Sequence, residues 1–252
     1  MDEWIPKPDD PARYDKRLAI IIPYRDRAEH RAVFLPYILD YFRRDKLDRR
    51  IDVSLHFVEQ AGRGVFNRGK LKNAGFALTR NQHDYVCFHD VDYLPIWADY
   101  SWSPRPARLI WNGLRREESW ETFLAAVVLF DNPSFERVNG YPNGYWGYGY
   151  EDAEIGLRCD IAGITWERRD GTFTNLPHPD SGTTPEGNFT AEALATKQLF
   201  EDRRPNLKAL MAADGLSDLK FDRLGSGPVR LAGKEVPNAV HHLVDIGNSS
   251  LV

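Results

Sequence analysis

The segment WGYGYEDAEIGLR (146–158) sets Trp146, Tyr148 and Tyr150, interleaved with Gly147 and Gly149, directly against Glu151, Asp152 and Glu154. Two chemistries fit that juxtaposition. An aromatic loop can pack onto a core, or an aromatic face can stack on a sugar ring beside a carboxylate that accepts a proton. The second is general-base catalysis, which needs an ionised acid within reach of a hydroxyl.

Polar residues also close three apolar runs elsewhere. PYRDR (23–27) ends the first, EQAGRGVFNRGK (59–70) the second and HDVDY (89–93) the third. Arg25, Arg27 and Arg68 would bring cationic forks to one sheet edge, where Asp90 and Asp92 supply carboxylates. That combination suits a phosphorylated ligand held with a divalent cation. A D-x-D pair also occurs in surface and capping roles, and both readings stay open. If the third strand persists through Val91, Asp90 and Asp92 face the same side, because side chains alternate with a period of two. One acid could then bind a metal and the other the sugar hydroxyls of a nucleotide.

Histidines divide similarly. His178, bracketed by Pro177 and Pro179, is either a metal ligand or a packed residue on spacing alone. His56 and His83 show no partner, and His241 and His242 fall on opposite faces of a late strand, so packing roles are expected for all four. HExxH, paired CxxC and P-loop patterns are absent, which removes the usual signatures of zinc proteases, zinc ribbons and Walker-type ATPases.

The elements that must position these residues follow from periodicity. Apolar strand runs at 18–24, 52–60 and 84–92 alternate with helical patterns at 25–44 and 67–80, the order of right-handed parallel crossovers in an α/β sheet. Pro36 should kink the first helix or mark an early turn. A loop with short strands is expected at 100–113, a strand at 121–130 and a helix at 132–140. A further helix is expected at 151–163, closing on Gly163. The polar, Gly- and Pro-rich stretch 178–190 reads as a mobile loop, followed by a helix at 191–202 and strands at 219–223 and 240–246.

Composition sets the outer bounds. The 252 residues are 42% hydrophobic and 28% charged, ordinary for a globular domain. A net charge of −4 argues against a nucleic-acid binder. The basic run RRDKLDRR (43–50) is broken by Asp45 and Asp48 and reads as a solvated helix end. No stretch approaches the roughly 20 apolar residues of a membrane span, and the acidic, proline-broken N-terminus is unlike a signal peptide. Two cysteines, Cys87 and Cys159, make no disulfide framework and point to a reducing compartment, although a single pairing stays open.

The ordered motifs IIPYRDRAEH, FVEQ, FNRGKLKNAGF, FHDVDYLP, VNGYPNGYWGYGYEDAEIGLR and VDIG resemble the β-1,4-galactosyltransferase family, glycosyltransferase family 7, over about residues 18–247. The FHDVD form is most similar to the branch that adds galactose to xylose. The resemblance implies a GT-A fold, Rossmann-like, with a mixed, mainly parallel sheet flanked by helices. It implies one catalytic domain over 1–252, with a nucleotide half at about 18–95 and an acceptor and metal half beyond. The implied activity is inverting, Mn2+-dependent transfer of galactose from UDP-galactose to a sugar hydroxyl, with a β-1,4 linkage. UDP-N-acetylgalactosamine is the alternative donor, and a catalytically silent sugar-binding module the alternative role.

Carried over by position, the resemblance assigns Pro23, Arg25 and Arg27 to the uridine diphosphate and Phe66 and Arg68 to uracil and ribose. Asp90 becomes the nucleotide-side acid, Asp92 and His178 metal ligands, and Asp152 the catalytic base. Trp146, Tyr148, Gly149 and Glu151 border the sugars. Phe123 stands where some relatives have a tyrosine that selects galactose. The family's further metal ligand falls on Asn175 or Leu176, so water or Asp180 is expected to substitute. The membrane anchor and stem of animal relatives are missing from the sequence, which implies a bacterial-type, soluble form, cytoplasmic or peripheral at the membrane's inner face.

Overall fold

The computed structural model describes residues 15–44, 51–110, 123–178, 182–184 and 186–248. The first strand, β1 (Arg17–Tyr24), is an unbroken apolar run and is buried on both faces. It pairs in parallel with β2 (Asp52–Gln60) on one side and β3 (Tyr85–His89) on the other. The crossovers are α1 (Ala28–Arg44) and α2 (Arg68–Thr79). Strand alternation splits β1 between two apolar layers. Leu18, Ile20 and Ile22 pack with Phe34 and Ile38 of α1, and Ala19 and Ile21 pack with Leu71 and Phe76 of α2. Gly75 lets α2 lie flat on the sheet, because a Cβ there would stand 2.4 Å from Ile21.

The remaining strands are β4 (Tyr93–Ala98), β5 (Ala107–Arg108), β6 (Val127–Asp131), β7 (Glu167–Arg168), β8 (Gly171–Asn175), β9 (Asp222–Leu231) and β10 (Lys234–Asp245). Eight of the strands form one sheet in the order β7-β5-β6-β3-β1-β2-β10-β9. Its centre, β3-β1-β2-β10, is parallel, and antiparallel pairings at β3–β6, β5–β6 and β9–β10 make it mixed. β4 and β8 form a separate antiparallel ribbon. The other helices are α3 (Asn132–Arg137), α4 (Glu151–Ile161), α5 (Ala191–Arg203) and α6 (Leu207–Ala213).

Several expectations change. Pro36 sits inside a single 17-residue helix, which its buried face of Phe34, Leu35, Ile38, Tyr41 and Phe42 holds against the sheet. The third strand stops at His89 and does not reach Asp92. The strand expected at 121–130 spans Val127–Asp131 among the described residues. The helix expected at 132–140 closes at Arg137, with left-handed Asn139 and Gly140 turning the chain. The two late strands are one long hairpin, β9–β10, whose exposed, Gly-rich first arm hid it from hydrophobic patterning. α6 was not expected at all.

His56 and His83 do have partners, some of them distant in sequence. His83 Nδ1 donates to Thr79 O (3.0 Å), and Ser54 Oγ bridges His83 Nε2 (2.6 Å) and His56 Nε2 (2.7 Å). His56 Nδ1 then meets His242 Nε2 at 3.1 Å. Burial pushes His56 down to about 3 and His242 to about 4, so the chain of imidazoles is neutral. Cys87 and Cys159 are both free and buried.

Candidate active site

The parallel register ends β1, β2 and β3 at one level, and the loops beyond them form the ligand edge of an open α/β sheet. At this edge α2 starts. Asn67 caps it by accepting from Lys70 N (2.8 Å), and its own N–H donates to Gln60 Oε1 at the end of β2 (2.9 Å). The cap aims Arg68 at three carboxylates. Arg68 Nε donates to Glu151 Oε1, Nη1 to Asp90 Oδ2 at 3.1 Å, and Nη2 to Asp152 Oδ2 at 3.5 Å. Arg68 is thereby a clamp on acids, a use that its expected place beside uracil and ribose did not suggest.

Glu151 and Asp152 open α4, and the aromatic loop delivers them there. Gly147, Gly149 and Tyr150 all have positive φ, at 99°, 87° and 71°. The first two are glycines because L side chains disfavour that region. Gly69 allows the starts of α2 and α4 to meet, since a Cβ there would lie 2.9 Å from Pro142 O and 3.5 Å from Glu151 Cβ. Deeper in α4, Glu154 is fully buried against Arg158 (2.8 Å) and Arg203 (2.8 Å) and accepts from Tyr145 O–H (2.8 Å). Glu154 therefore anchors the helix and does not face a ligand.

Electrostatics separate the two neighbouring acids. Burial pushes Glu151 up, but Arg68 and Lys72 outweigh it and hold the carboxyl below its usual range. Asp152 is pushed up to about 6, first by burial and then by Glu151, with Arg68 and Lys72 only partly offsetting them. A helix N-terminus alone would favour the ionised form; here burial overrides it. Asp152 remains 16% exposed and reaches solvent.

The second cluster depends on the β4–β8 ribbon. The register Tyr93↔Asn175 and the bond from Leu176 N to Asp92 O (2.7 Å) lay the chain after β8 beside Asp92. His178 Nε2 then lies 3.2 Å from Asp92 Oδ2. That separation would let both donors reach one divalent ion. Beside them His30 Nε2 is buried without a hydrogen-bond partner, and its ring centroid is 6.2 Å from that of His178. One carboxylate and imidazole nitrogen fit a manganese-type ion. Among the described residues no three of His, Cys, Asp and Glu converge as a ready-made cage. Leu176 packs against the core and Asn175 is exposed, whereas Asp180 lies outside the described residues. Asp92 is pushed up by burial and then by Asp90. The two acids are close because Tyr93 N closes a turn on Asp90 O (3.3 Å), not because a strand alternates through them.

The remaining predicted residues are distributed around these clusters. Pro23 is buried in β1 opposite Val58. Arg25 donates to Gly64 O (2.6 Å) and lies over the Phe66 ring at 5.2 Å. Gly147 N donates to Phe66 O (2.8 Å), which ties the aromatic loop to the same place. Trp146 is half-buried with Lys70 Nζ 5.9 Å from its ring centroid. Gly182 packs on the ring of Tyr148, whose carbonyl accepts from Thr196 Oγ1 (2.5 Å). Arg27 is half-buried. Phe123 accepts from Arg108 Nη1 through its carbonyl (3.1 Å). Lys72 and His30 were missed, since an apolar helix face and a helix start gave no sign of either role.

Comparison with known proteins gives the chain's family and fold. The model for the N-terminal region of glycosyl transferase group 7 matches residues 4–101, and that for the N-terminal domain of galactosyltransferase matches residues 107–179. The chain belongs to glycosyltransferase group 7. Within that family, β-1,4-galactosyltransferase 7 of Drosophila melanogaster is 32% identical over 185 residues, 70% of this chain and 56% of the relative. Human β-1,4-galactosyltransferase 1 is 30% identical over 218 residues, 82% of this chain and 51% of the relative. The chain thus spans about half the length of the curated relatives it matches. The catalytic domain of the Drosophila β-1,4-galactosyltransferase 7, in complex with xylobiose, superposes with a TM-score of 0.72 at 23% identity, covering 92% of this chain and 94% of that one. A mutant of that enzyme, in complex with manganese, UDP-Gal and xylobiose, gives 0.69 at 22% identity with the same coverage. These likenesses establish the GT-A fold for this group 7 chain. No helix among the described residues is long and apolar enough to cross a membrane.

Proposed function

We propose that this chain is an inverting, metal-dependent glycosyltransferase that moves galactose from UDP-galactose to a sugar hydroxyl, forming a β-1,4 linkage. The observation that carries the reading is Asp152, a largely buried acid pushed to about 6 at the start of α4, next to a carboxylate held ionised. Neighbouring acids whose environments separate them in this way mark an acid–base assignment. Asp152 takes the proton of the acceptor hydroxyl as that oxygen attacks the anomeric carbon from the face opposite the departing diphosphate. General-base help of this kind contributes typically about 10²–10⁴-fold. Glu151, fixed by Arg68, orients the sugar, and Asp90 takes the hydroxyls of the nucleotide. Arg25 and Arg27 lie beyond β1 for the diphosphate, with Phe66 beneath the uracil and Pro23 closing the strand end.

Asp92 and His178 would hold Mn2+, whose chemistry there is electrostatic stabilisation of negative charge on the diphosphate. Trp146, Tyr148 and Gly149 border the acceptor. Family membership and the group 7 relatives named for β-1,4-galactosyl transfer support the donor, and the UDP-Gal and manganese complex of the Drosophila mutant supports the pairing. Phe123 leaves UDP-N-acetylgalactosamine as the second donor to examine. The test is product formation from UDP-galactose and a β-xyloside or N-acetylglucosamine with and without Mn2+. Metal-dependent release of UDP with a new β-galactoside is expected. Binding of UDP-sugars without transfer or hydrolysis would instead mark a silent binding module.

A further inference from the structure

Lys72 follows Arg68 by four residues on α2, so both cations face the start of α4. Its side chain is 2% exposed, with Nζ 3.8 Å from Glu151 Oε1 and 4.4 Å from the ring centroid of Tyr141. None of the steps above uses it. An ammonium ion this deep is costly unless neighbouring charge compensates it, so its place requires an explanation.

The surrounding charges give one. Arg68 and Lys72 come from α2, Glu151 and Asp152 from α4, and Asp90 from the turn after β3, with the Tyr141 hydroxyl on the segment before α4. Asp92 adds its carboxylate from the same turn as Asp90. Three acids bond Arg68 directly, and two cations balance only two of them. Glu151 contacts both cations, and Asp90 has Arg68 Nη1 at 3.1 Å. Asp152 has only the longer 3.5 Å contact to Nη2. The unbalanced negative charge therefore falls on Asp152.

We propose that Lys72 is a positioning residue for the reaction: its buried ammonium fixes Glu151 as a carboxylate and keeps Asp152 ionised at neutral pH, ready to accept a proton. The proposal rests on Asp152 being the base in the transferase reading. Without Lys72, one cation would face three carboxylates, and the least compensated of them would take up a proton.

The test is a ¹³C-carboxyl NMR titration of aspartate-labelled protein, with Asp152 identified by its loss in Asp152→Asn. The wild-type Asp152 midpoint is expected near pH 6. In Lys72→Met its midpoint rises by about one pH unit or more, as expected for a buried charge removed from beside an acid, and Lys72→Arg reverses the rise. The acid limb of kcat/KM moves with it, and raising the pH restores the lost rate, which damage to packing alone would not allow. An unmoved midpoint and limb overturn the proposal, as does a rate loss that high pH does not restore. A measurement on wild type guards against a variant that fails to fold. The ¹⁵Nζ shift of Lys72 at pH 7 should be that of an ammonium ion, and a neutral amine overturns the proposal. A moved midpoint in a protein that transfers no sugar leaves the charge relation standing and removes the transferase reading.

Discussion

Two adjacent acids, Glu151 and Asp152, share a helix turn and a cationic partner and are pushed in opposite directions. Glu151 is 3% exposed with two cations at hand, while Asp152 takes one weak contact and a like-charged neighbour. The sequence showed both acids and their aromatic flank but not this division, because compensation by Lys72 and Arg68 depends on α2 meeting α4. The helix-terminus effect is worth only about 0.3–1 kcal/mol, less than one pH unit, so burial decides the outcome. A base must be ionised, and Asp152 loses its charge as pH falls through about 6. The profile of kcat/KM should therefore hold above pH 7 and fall about tenfold per pH unit well below pH 6. A rate unchanged down to pH 4.5 would exclude Asp152 as the base.

At the scale of elements, α4 is held from behind by charge. Arg158 is fully buried, paired with Glu154, and donates through Nη1 to Gly140 O (3.0 Å) and Asp214 O (2.9 Å). Arg203 of α5 joins Glu154 and Asp214, so α4, α5 and the turn after α6 share one ionic core. Arg158→Met leaves Glu154 buried with one partner fewer, and breaking such a pair costs about 3–5 kcal/mol. Urea unfolding should show a stability lower by that amount, read as a lower midpoint with the slope unchanged; a change under about 1 kcal/mol would mean the network is not a brace. Hydrophobic period located α1 and the three central strands because their buried faces are apolar, and α2 and α4 because apolar residues recur at helical spacing beside the buried charges. It missed α6 and shortened the β9–β10 hairpin because those elements bury little apolar surface, with exposed residues along most of β9. Asp92 and His178 were paired by resemblance, and the reason they meet, the β4–β8 register, is a long-range pairing that no local pattern encodes.

For the whole molecule, function follows from where the parallel strands stop. β1, β2 and β3 end together, and the acids, Arg68 and the Asp92–His178 pair gather beyond them, as the order of elements already implied. The distant closure by β10, the neutral imidazole chain from His83 to His242 and the role of Lys72 became visible only in three dimensions. The central claim is that this edge carries out transfer with Asp152 as base, and one paired measurement on Asp152→Asn tests it. The substitution keeps shape and removes the proton acceptor. Calorimetric titration with UDP and Mn2+ should give an affinity within about threefold of wild type, while transfer from UDP-galactose falls by about 10²-fold or more. Near wild-type turnover in that variant would contradict the account.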